Sequence, residues 1–246
     1  QQIINWDCLE YFSKILLQSF ISRRKMRWLI AFVLAIASIS AQENCDDVVL
    51  SVAQSNLNQA LGIADDPNYR NPQALQDAYN TLIYSGNWES VQSLCKAFGD
   101  FERTLGTFYE PCMSWLHFLE HDQDMASSHK YSNLYHELRF VCGAGFFTLM
   151  DNIQCISTTW STNMNAIEQC GVTFANNVAG NEAGACSYLE QDLSCVSAFY
   201  SGCGDVTMWW ACESERWYQE NQYYDCPQRC NVSPGPDKKE EVAKKE

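Results

Sequence analysis

The first stretch that could carry chemistry is HFLEH, at residues 117–121. It matches His-x-x-Glu-His, the pattern of inverted zinc peptidases, in which two histidines bind the metal and the glutamate is the general base. On a helix, His117 and His121 lie one turn apart and can face one zinc ion, while Glu120 can activate its bound water. All four histidines lie between residues 117 and 136. The candidates for a third metal ligand are Asp122, Asp124, His129 and His136.

The other interpretation of this stretch is a polar helix end with solvated histidines. A match of five residues is weak evidence in a cysteine-rich chain, and no distal carboxylate ligand can be identified. A zinc-dependent secreted enzyme is therefore the alternative hypothesis, and the preferred one is a non-enzymatic protein without a cofactor.

A second candidate is the aromatic stretch MWWACESERWYQENQYYDC, at residues 208–226. Trp210 and Trp217 lie two helical turns apart and could form a flat strip that stacks on sugar rings, as in a carbohydrate-binding module. Trp209, Tyr218, Tyr223 and Tyr224 would extend it. Aromatic residues at helical spacing more often pack in the core, where large rings bury much apolar area. Core packing is therefore the preferred interpretation, and a sugar-binding strip is the alternative.

Twelve of the 13 cysteines follow residue 41, and the remaining one is Cys8. An even number of cysteines behind a secretion signal predicts a disulfide framework of up to six bridges, and disfavours a free nucleophilic thiol. Twelve cysteines allow about 10⁴ pairings, so the connectivity stays open. The predicted disulfide cysteines are Cys45, Cys95, Cys112, Cys142, Cys155, Cys170, Cys186, Cys195, Cys203, Cys212, Cys226 and Cys230.

The elements that must position these residues are predicted to be helices. Apolar residues recur at steps of three and four, and no long alternating run indicates a strand. Helices are predicted to begin near Asp46, Asn71, Glu89, Cys112 and Ser132, and three more are predicted around 159–178, 184–201 and 206–222. Several cysteines lie on the apolar helix faces, which favours bridges between packed helices. The sequence therefore predicts an all-α, disulfide-stapled helical bundle.

The stretch SRRKMRWLIAFVLAIASISA, at residues 22–41, has the form of a secretion signal. Four basic residues precede an apolar run and small residues, and the run is short for a membrane-spanning helix. We predict a signal peptide at 26–41, with an uncleaved signal anchor as the alternative. Residues 1–25 are interpreted as non-native upstream translation, or alternatively as an amphipathic N-terminal segment. The predicted remainder is a cysteine-rich helical domain at 42–230 and a disordered charged tail at 231–246.

Charge restricts the partners of this secreted product. Residues 42–246 carry 11 Lys and Arg against 28 Asp and Glu, a formal net charge of −17. Nucleic acid is bound through clustered basic residues, so we predict no nucleic-acid partner. The same charge would repel anionic membranes and free sulfated glycans. The expected partners are extracellular proteins or neutral glycans, with no membrane association after signal cleavage.

Two stretches carry a recognisable cysteine spacing: LRFVCGAGFFTLMDNIQCISTTWSTNMNAIEQC (138–170) and GACSYLEQDLSCVSAFYSGCGDVTMWWACE (184–213). Together they resemble the secreted chondroitin proteoglycan 4 domain of nematodes and a related group of nematode domains of unknown function. SLCKAF (93–98) and Cys112 extend the resemblance to about 90–215. It implies a secreted helical domain related to a core protein of extracellular chondroitin proteoglycan.

One departure from that family concerns glycan attachment. Chondroitin is expected on Ser-Gly, which occurs only at Ser85-Gly86 and Ser201-Gly202, each beside a tyrosine in a region expected to be structured. The only N-glycosylation pattern begins at Asn231 and is followed directly by Pro234, which should weaken its use. These three sites are minor candidates. The leading hypothesis is a secreted, non-enzymatic matrix or interaction protein.

Overall fold

The computed structural model describes residues 44–63, 71–121 and 124–231, and it contains no β-strand in these ranges. The described helices belong to one compact unit. They are α1 (Asp47–Leu61), α2 (Pro72–Ile83), α3 (Trp88–Leu105), α4 (Tyr109–Cys112), α5 (Trp115–Glu120), α6 (Met125–Val141), α7 (Phe146–Gly180), α8 (Ala185–Phe199) and α9 (Asp205–Glu220). Short 3-10 helices span Gly106–Phe108, Glu182–Gly184 and Tyr200–Cys203. The predicted all-α fold is confirmed, whereas the predicted signal peptide, the upstream segment and residues 232–246 lie outside the described residues.

The first helices begin where side chains can cap them. The Asp46 carboxylate accepts hydrogen bonds from the backbone N–H groups of Val48 and Val49, at 3.0 and 3.2 Å. Asn71 caps α2 and is followed by Pro72. Because proline has no backbone N–H, it leaves no donor without a partner in the first helical turn. These starts agree with the sequence-based predictions. The cap satisfies backbone donors that a helix leaves free at its N-terminus.

Two predicted boundaries in the middle of the chain were wrong. Helix α6 begins at Met125 rather than near Ser132, because Asp124 caps it by accepting from the backbone N–H of Ser127 at 2.9 Å. The next helix, α7, runs unbroken through 35 residues from Phe146, so it begins well before the predicted start near 159. Its polar side chains bond back to the helix, as Thr173 does to the carbonyl of Gln169 at 2.8 Å.

All twelve predicted disulfide cysteines form bridges, which confirms the framework and fixes its connectivity. The bridges are Cys45–Cys112, Cys95–Cys142, Cys155–Cys203, Cys170–Cys195, Cys186–Cys226 and Cys212–Cys230. They divide the described chain into a first block, residues 45–142, and a second block, residues 155–230. No bridge between described cysteines joins one block to the other.

Packing and hydrogen bonds join the two blocks. The ring of Tyr84 stacks on that of Trp160 with centroids 4.0 Å apart and planes 6° apart. Asn221 donates a hydrogen bond of 2.6 Å to the hydroxyl of Ser132. The main core contains buried residues of both blocks, including Phe101, Tyr135 and, from α9, Trp210. Among the described helices, none has the length and apolar character that crossing a membrane requires.

Candidate functional site

A cavity of about 1380 Å³ lies between the two blocks. Helices α2 and α6 of the first block and α7, α8 and α9 of the second block all contribute to its wall. Its aromatic lining residues are Tyr79, Tyr84, Trp160, Phe174, Tyr200, Trp210, Tyr218 and Tyr223. Exposed lining residues such as Gln73 and Met125 bring the cavity to the surface. Small-molecule sites commonly measure about 300–1,000 Å³, so a ligand of ordinary size would fit here.

The first functional group in this cavity is the carboxyl group of Glu137, which is only 9 % exposed. Its Oε1 accepts two hydrogen bonds of 2.8 Å, one from the Tyr79 hydroxyl and one from the Ser214 hydroxyl. Burial raises the pKa of Glu137 to about 7, the two hydrogen bonds oppose the rise, and the nearby Glu215 carboxylate adds to it. The group therefore changes charge near neutral pH.

A second acidic group is formed by Asp192 of α8 and Glu215 of α9. Asp192 is 3 % exposed, and no N–H group or alcohol or phenol hydroxyl among the described residues donates to either of its carboxylate oxygens. Its carboxyl group instead interacts with that of Glu215. Burial, followed by the charge of Glu215, raises the pKa of Asp192, and burial raises the pKa of Glu215 as well. Two adjacent buried carboxyl groups are accommodated most easily when they share a proton.

Neutral hydroxyl groups surround these acids. Burial is the main cause that raises the pKa of Tyr79, Tyr84, Tyr200 and Tyr218, so these hydroxyls stay protonated at neutral pH. Tyr84 and Tyr200 also hydrogen-bond to each other. The wall can therefore offer hydrogen bonds without adding charge.

The predicted zinc motif lies at the C-terminal end of α5, where His121 is the residue directly after the helix, and it is outside the cavity lining. Nε2 of His117 is 3.3 Å from one carboxylate oxygen of Asp47, and Nε2 of His121 is 3.4 Å from the other. Glu120 is exposed. The structure thus places Asp47, from the first turn of α1, against both imidazoles. The His-x-x-Glu-His pattern gave no indication of this partner.

The protonation of this histidine pair follows from its hydrogen bonds. Nδ1 of His121 lies 2.8 Å from the backbone oxygen of His117, which can only accept, so Nδ1 carries a proton. That hydrogen bond and then Asp47 raise the pKa of His121, whereas burial and then His121 lower that of His117. His121 is therefore suited to an ion pair with Asp47.

The predicted third metal ligands have other roles or lie elsewhere. Asp124 caps α6, the His129 ring stacks on Trp115 with centroids 4.4 Å apart, and His136 is half-buried on α6. Asp122 lies outside the described residues. The Cys45 sulfur lies near His117 and Asp47, but its bridge to Cys112 removes the thiolate that a metal would bind.

The alternative interpretation of the aromatic stretch, a sugar-binding strip, was wrong for Trp210. Its indole is only 1 % exposed and therefore cannot present a face to a sugar at the surface. Trp217 is half-buried and stacks on Phe140 of α6, with centroids 6.1 Å apart. Helix α9 uses this side to pack on α6, in line with the preferred interpretation that these rings are core residues.

The three candidate glycan sites, Ser85, Ser201 and Asn231, are exposed. The Ser85 hydroxyl donates a 2.8 Å hydrogen bond to the Leu82 carbonyl, in a turn where Gly86 takes a positive φ of 70°. Glycan attachment at these sites stays a prediction.

The buried acids Glu137, which lines the cavity, and Asp192, which does not, were missed by the sequence reasoning, although a signal for them exists. Glu137 follows Leu134 by three residues and precedes Val141 by four, which places it on the apolar face of its helix. Asp192 likewise follows Leu189 by three residues and precedes Val196 by four. An acidic residue at such a position is a candidate buried acid.

Comparison of the chain with protein-family models, with curated proteins and with solved structures finds no match. The resemblance to the chondroitin proteoglycan 4 domain stays a prediction. Function must therefore be inferred from the geometry of the cavity.

Proposed function

We propose that this is a secreted, non-enzymatic interaction protein that binds a small ligand in the cavity between its two disulfide-stapled blocks. The observation that carries the proposal is a cavity of about 1380 Å³ in which aromatic walls surround the buried carboxyl group of Glu137. A large, mainly apolar cavity with a few convergent polar groups of shifted pKa is the usual form of a binding site.

Two features support an extracellular, non-enzymatic role. Six disulfides are typical of proteins that fold in an oxidising compartment. They also leave none of the twelve cysteines as a nucleophile, and the histidine pair that resembles a zinc motif lies outside the cavity lining. Membership of the extracellular matrix, which the family resemblance implies, is a further part of the proposal. It predicts that the protein stays with extracellular material after salt washing.

The binding proposal can be tested with N-phenyl-1-naphthylamine, a neutral apolar fluorophore whose emission rises in an apolar site. Ala175 of α7 lines the cavity and is exposed, so Ala175→Trp should place an indole in the cavity without disturbing the core. We expect the protein to enhance the emission of the probe, and Ala175→Trp to weaken probe binding at least tenfold.

The matched control is Ala166→Trp, an exposed alanine of the same helix that does not line the cavity. It should bind the probe as the unmodified protein does. Absence of probe binding, or equal binding by both variants, would overturn the proposal that the cavity is the site.

A further inference from the structure

We infer that the ligand of this cavity is an organic amine in its cationic form, with its ammonium group at Glu137 and its apolar body against the aromatic wall. This inference rests on the proposed binding function and names the chemical class of the ligand.

The charges around the cavity favour a cation. The described lining residues include the acidic side chains of Asp77, Glu137, Glu168 and Glu215, and Lys130 is the one lysine or arginine among them. The Lys130 ammonium already donates a 2.6 Å hydrogen bond to Gln73. An anionic ligand would therefore meet mainly acidic groups, whereas a cation would be attracted.

The acceptors that α6 contributes to the wall, on Glu137 and Asn133, favour a ligand that donates hydrogen bonds, while the wall also holds a donor without an acceptor among the described residues, Nε1 of Trp210. Both hydrogen bonds to Glu137 reach the same oxygen, Oε1, so Oε2 is the oxygen left for a ligand. Asn133 also lines the cavity, is 3 % exposed, and its Oδ1 has no hydrogen-bond partner among the described residues. A buried acceptor without a donor is costly. An ammonium group has donors and no acceptor, so it supplies what these two residues lack.

The aromatic wall suits the rest of such a ligand. The stacked rings of Tyr84 and Trp160 and the ring of Tyr218 belong to the same lining. Aromatic faces attract cations and also bury apolar surface. An amine with an aromatic or aliphatic body would contact both kinds of group at once.

Proton linkage gives this inference a distinctive signature. Glu137 faces Tyr79, Tyr84, Tyr200 and Tyr218, which stay neutral, and Glu215, whose charge favours the protonated form of Glu137. An amine cation binds the carboxylate form, so binding near pH 6 releases a proton from Glu137. Affinity for an amine should then rise with pH up to about 7, by up to tenfold per pH unit, and level off above it.

Three probes of equal size separate the possibilities: tryptamine, which is cationic, tryptophol, which is neutral, and indole-3-acetate, which is anionic. In calorimetric titrations at pH 8 we expect tryptamine to bind at least tenfold more tightly than tryptophol, and indole-3-acetate to bind most weakly. At pH 6, tryptamine binding should release protons, seen as a heat that depends on the ionisation enthalpy of the buffer.

The test variant is Glu137→Gln, which should weaken tryptamine binding at least tenfold and weaken N-phenyl-1-naphthylamine binding far less, because the neutral probe needs no carboxylate; the neutral probe therefore also reports a folded cavity. Glu190→Gln, an exposed acid of α8 outside the lining, is the matched control and should behave as the unmodified protein. If the neutral probe binds but tryptamine has no advantage over tryptophol, the amine inference fails and the binding proposal stands. If no probe binds, the binding proposal itself fails.

Discussion

At the scale of single residues, the carboxyl group of Glu137 is held where its charged form is disfavoured. Its pKa of about 7 in the folded protein lies above the ordinary value of 4.5. The folded state therefore binds this proton more tightly than the unfolded state does. The stabilisation from this protonated carboxyl group is at its maximum below about pH 4.5. It is lost as the pH rises to about 7, which lowers the free energy of unfolding by about 3 kcal/mol in all.

Glu137→Gln should remove this contribution to the pH dependence of stability. We expect the free energy of unfolding to fall less between pH 5 and pH 8 in the variant than in the unmodified protein, by about 2–3 kcal/mol. Urea unfolding at the two pH values measures it. Histidines and the Asp192–Glu215 pair also titrate, and they contribute to the pH dependence in every variant. The effect of Glu137 is therefore the difference in pH dependence between the variant and the unmodified protein, with Glu190→Gln as the control. Equal pH dependence in all three would contradict the burial argument.

The histidine pair on α5 gives a second prediction at this scale. Asp47 is a cause of the raised pKa of His121, after the hydrogen bond to the His117 backbone. Asp47→Asn should therefore lower the pKa of His121, measured by following its imidazole protons by NMR as the pH changes. Glu120→Gln is the control and should lower it less, since the charge of Glu120 is the smallest of the causes. A larger effect of Glu120→Gln would show that Glu120, rather than Asp47, is the main charge that raises the pKa of His121.

At the scale of elements, the turn between α6 and α7 depends on a close contact at Gly145. A Cβ atom added there would lie 2.7 Å from Cε1 of Phe140 and 3.0 Å from Nε1 of Trp210. Both rings are buried, so neither can move aside easily. Gly145→Ala should therefore lower the free energy of unfolding by about 1–3 kcal/mol.

The matched control is Gly99→Ala in α3, where the nearest atom to an added Cβ is the Arg103 Nη1 at 3.9 Å. With no clash, alanine in a helix interior should stabilise by about 0.5–1 kcal/mol. Chemical denaturation of both variants checks the pair. A Gly145→Ala protein as stable as the original would show that the turn can relax.

The starts of the helices differ in how far the sequence could predict them. Caps such as Asp46 and Asn71 stand directly before apolar periodic residues, so the starts of α1 and α2 were predictable. Asp124 also caps a helix, but the polar run at 127–130 follows Met125 and Ala126 and interrupts the apolar spacing, so no periodic signal marked this start. The break before Phe146 includes Gly145, which the rings of Phe140 and Trp210 approach closely, and the approach of Trp210 from α9 is a tertiary contact that local spacing does not encode.

At the scale of the whole molecule, the cavity lies between two blocks that no disulfide of the described cysteines joins. Each block is stapled internally, and across the cavity the blocks are held by packing and by hydrogen bonds such as that from Ser214 to Glu137. Parity and spacing predicted that the cysteines would pair, but not which cysteines would meet. The sequence therefore indicated a stapled bundle. It did not indicate the division into two blocks, nor that Glu137 and Glu215 would line one cavity, because both follow from the three-dimensional packing of the helices.

The bridges themselves differ in the length of chain that they close. Cys45–Cys112 spans 67 residues and Cys212–Cys230 spans 18. Because a disulfide restricts the unfolded chain more when its loop is longer, removing the first should cost about 4 kcal/mol and removing the second about 3 kcal/mol. The paired variants Cys45→Ala/Cys112→Ala and Cys212→Ala/Cys230→Ala, unfolded in guanidinium chloride without reductant, measure both values. If the shorter loop proved the costlier to open, native contacts of the C-terminal segment, rather than restriction of the unfolded chain, would dominate the stability of the second block.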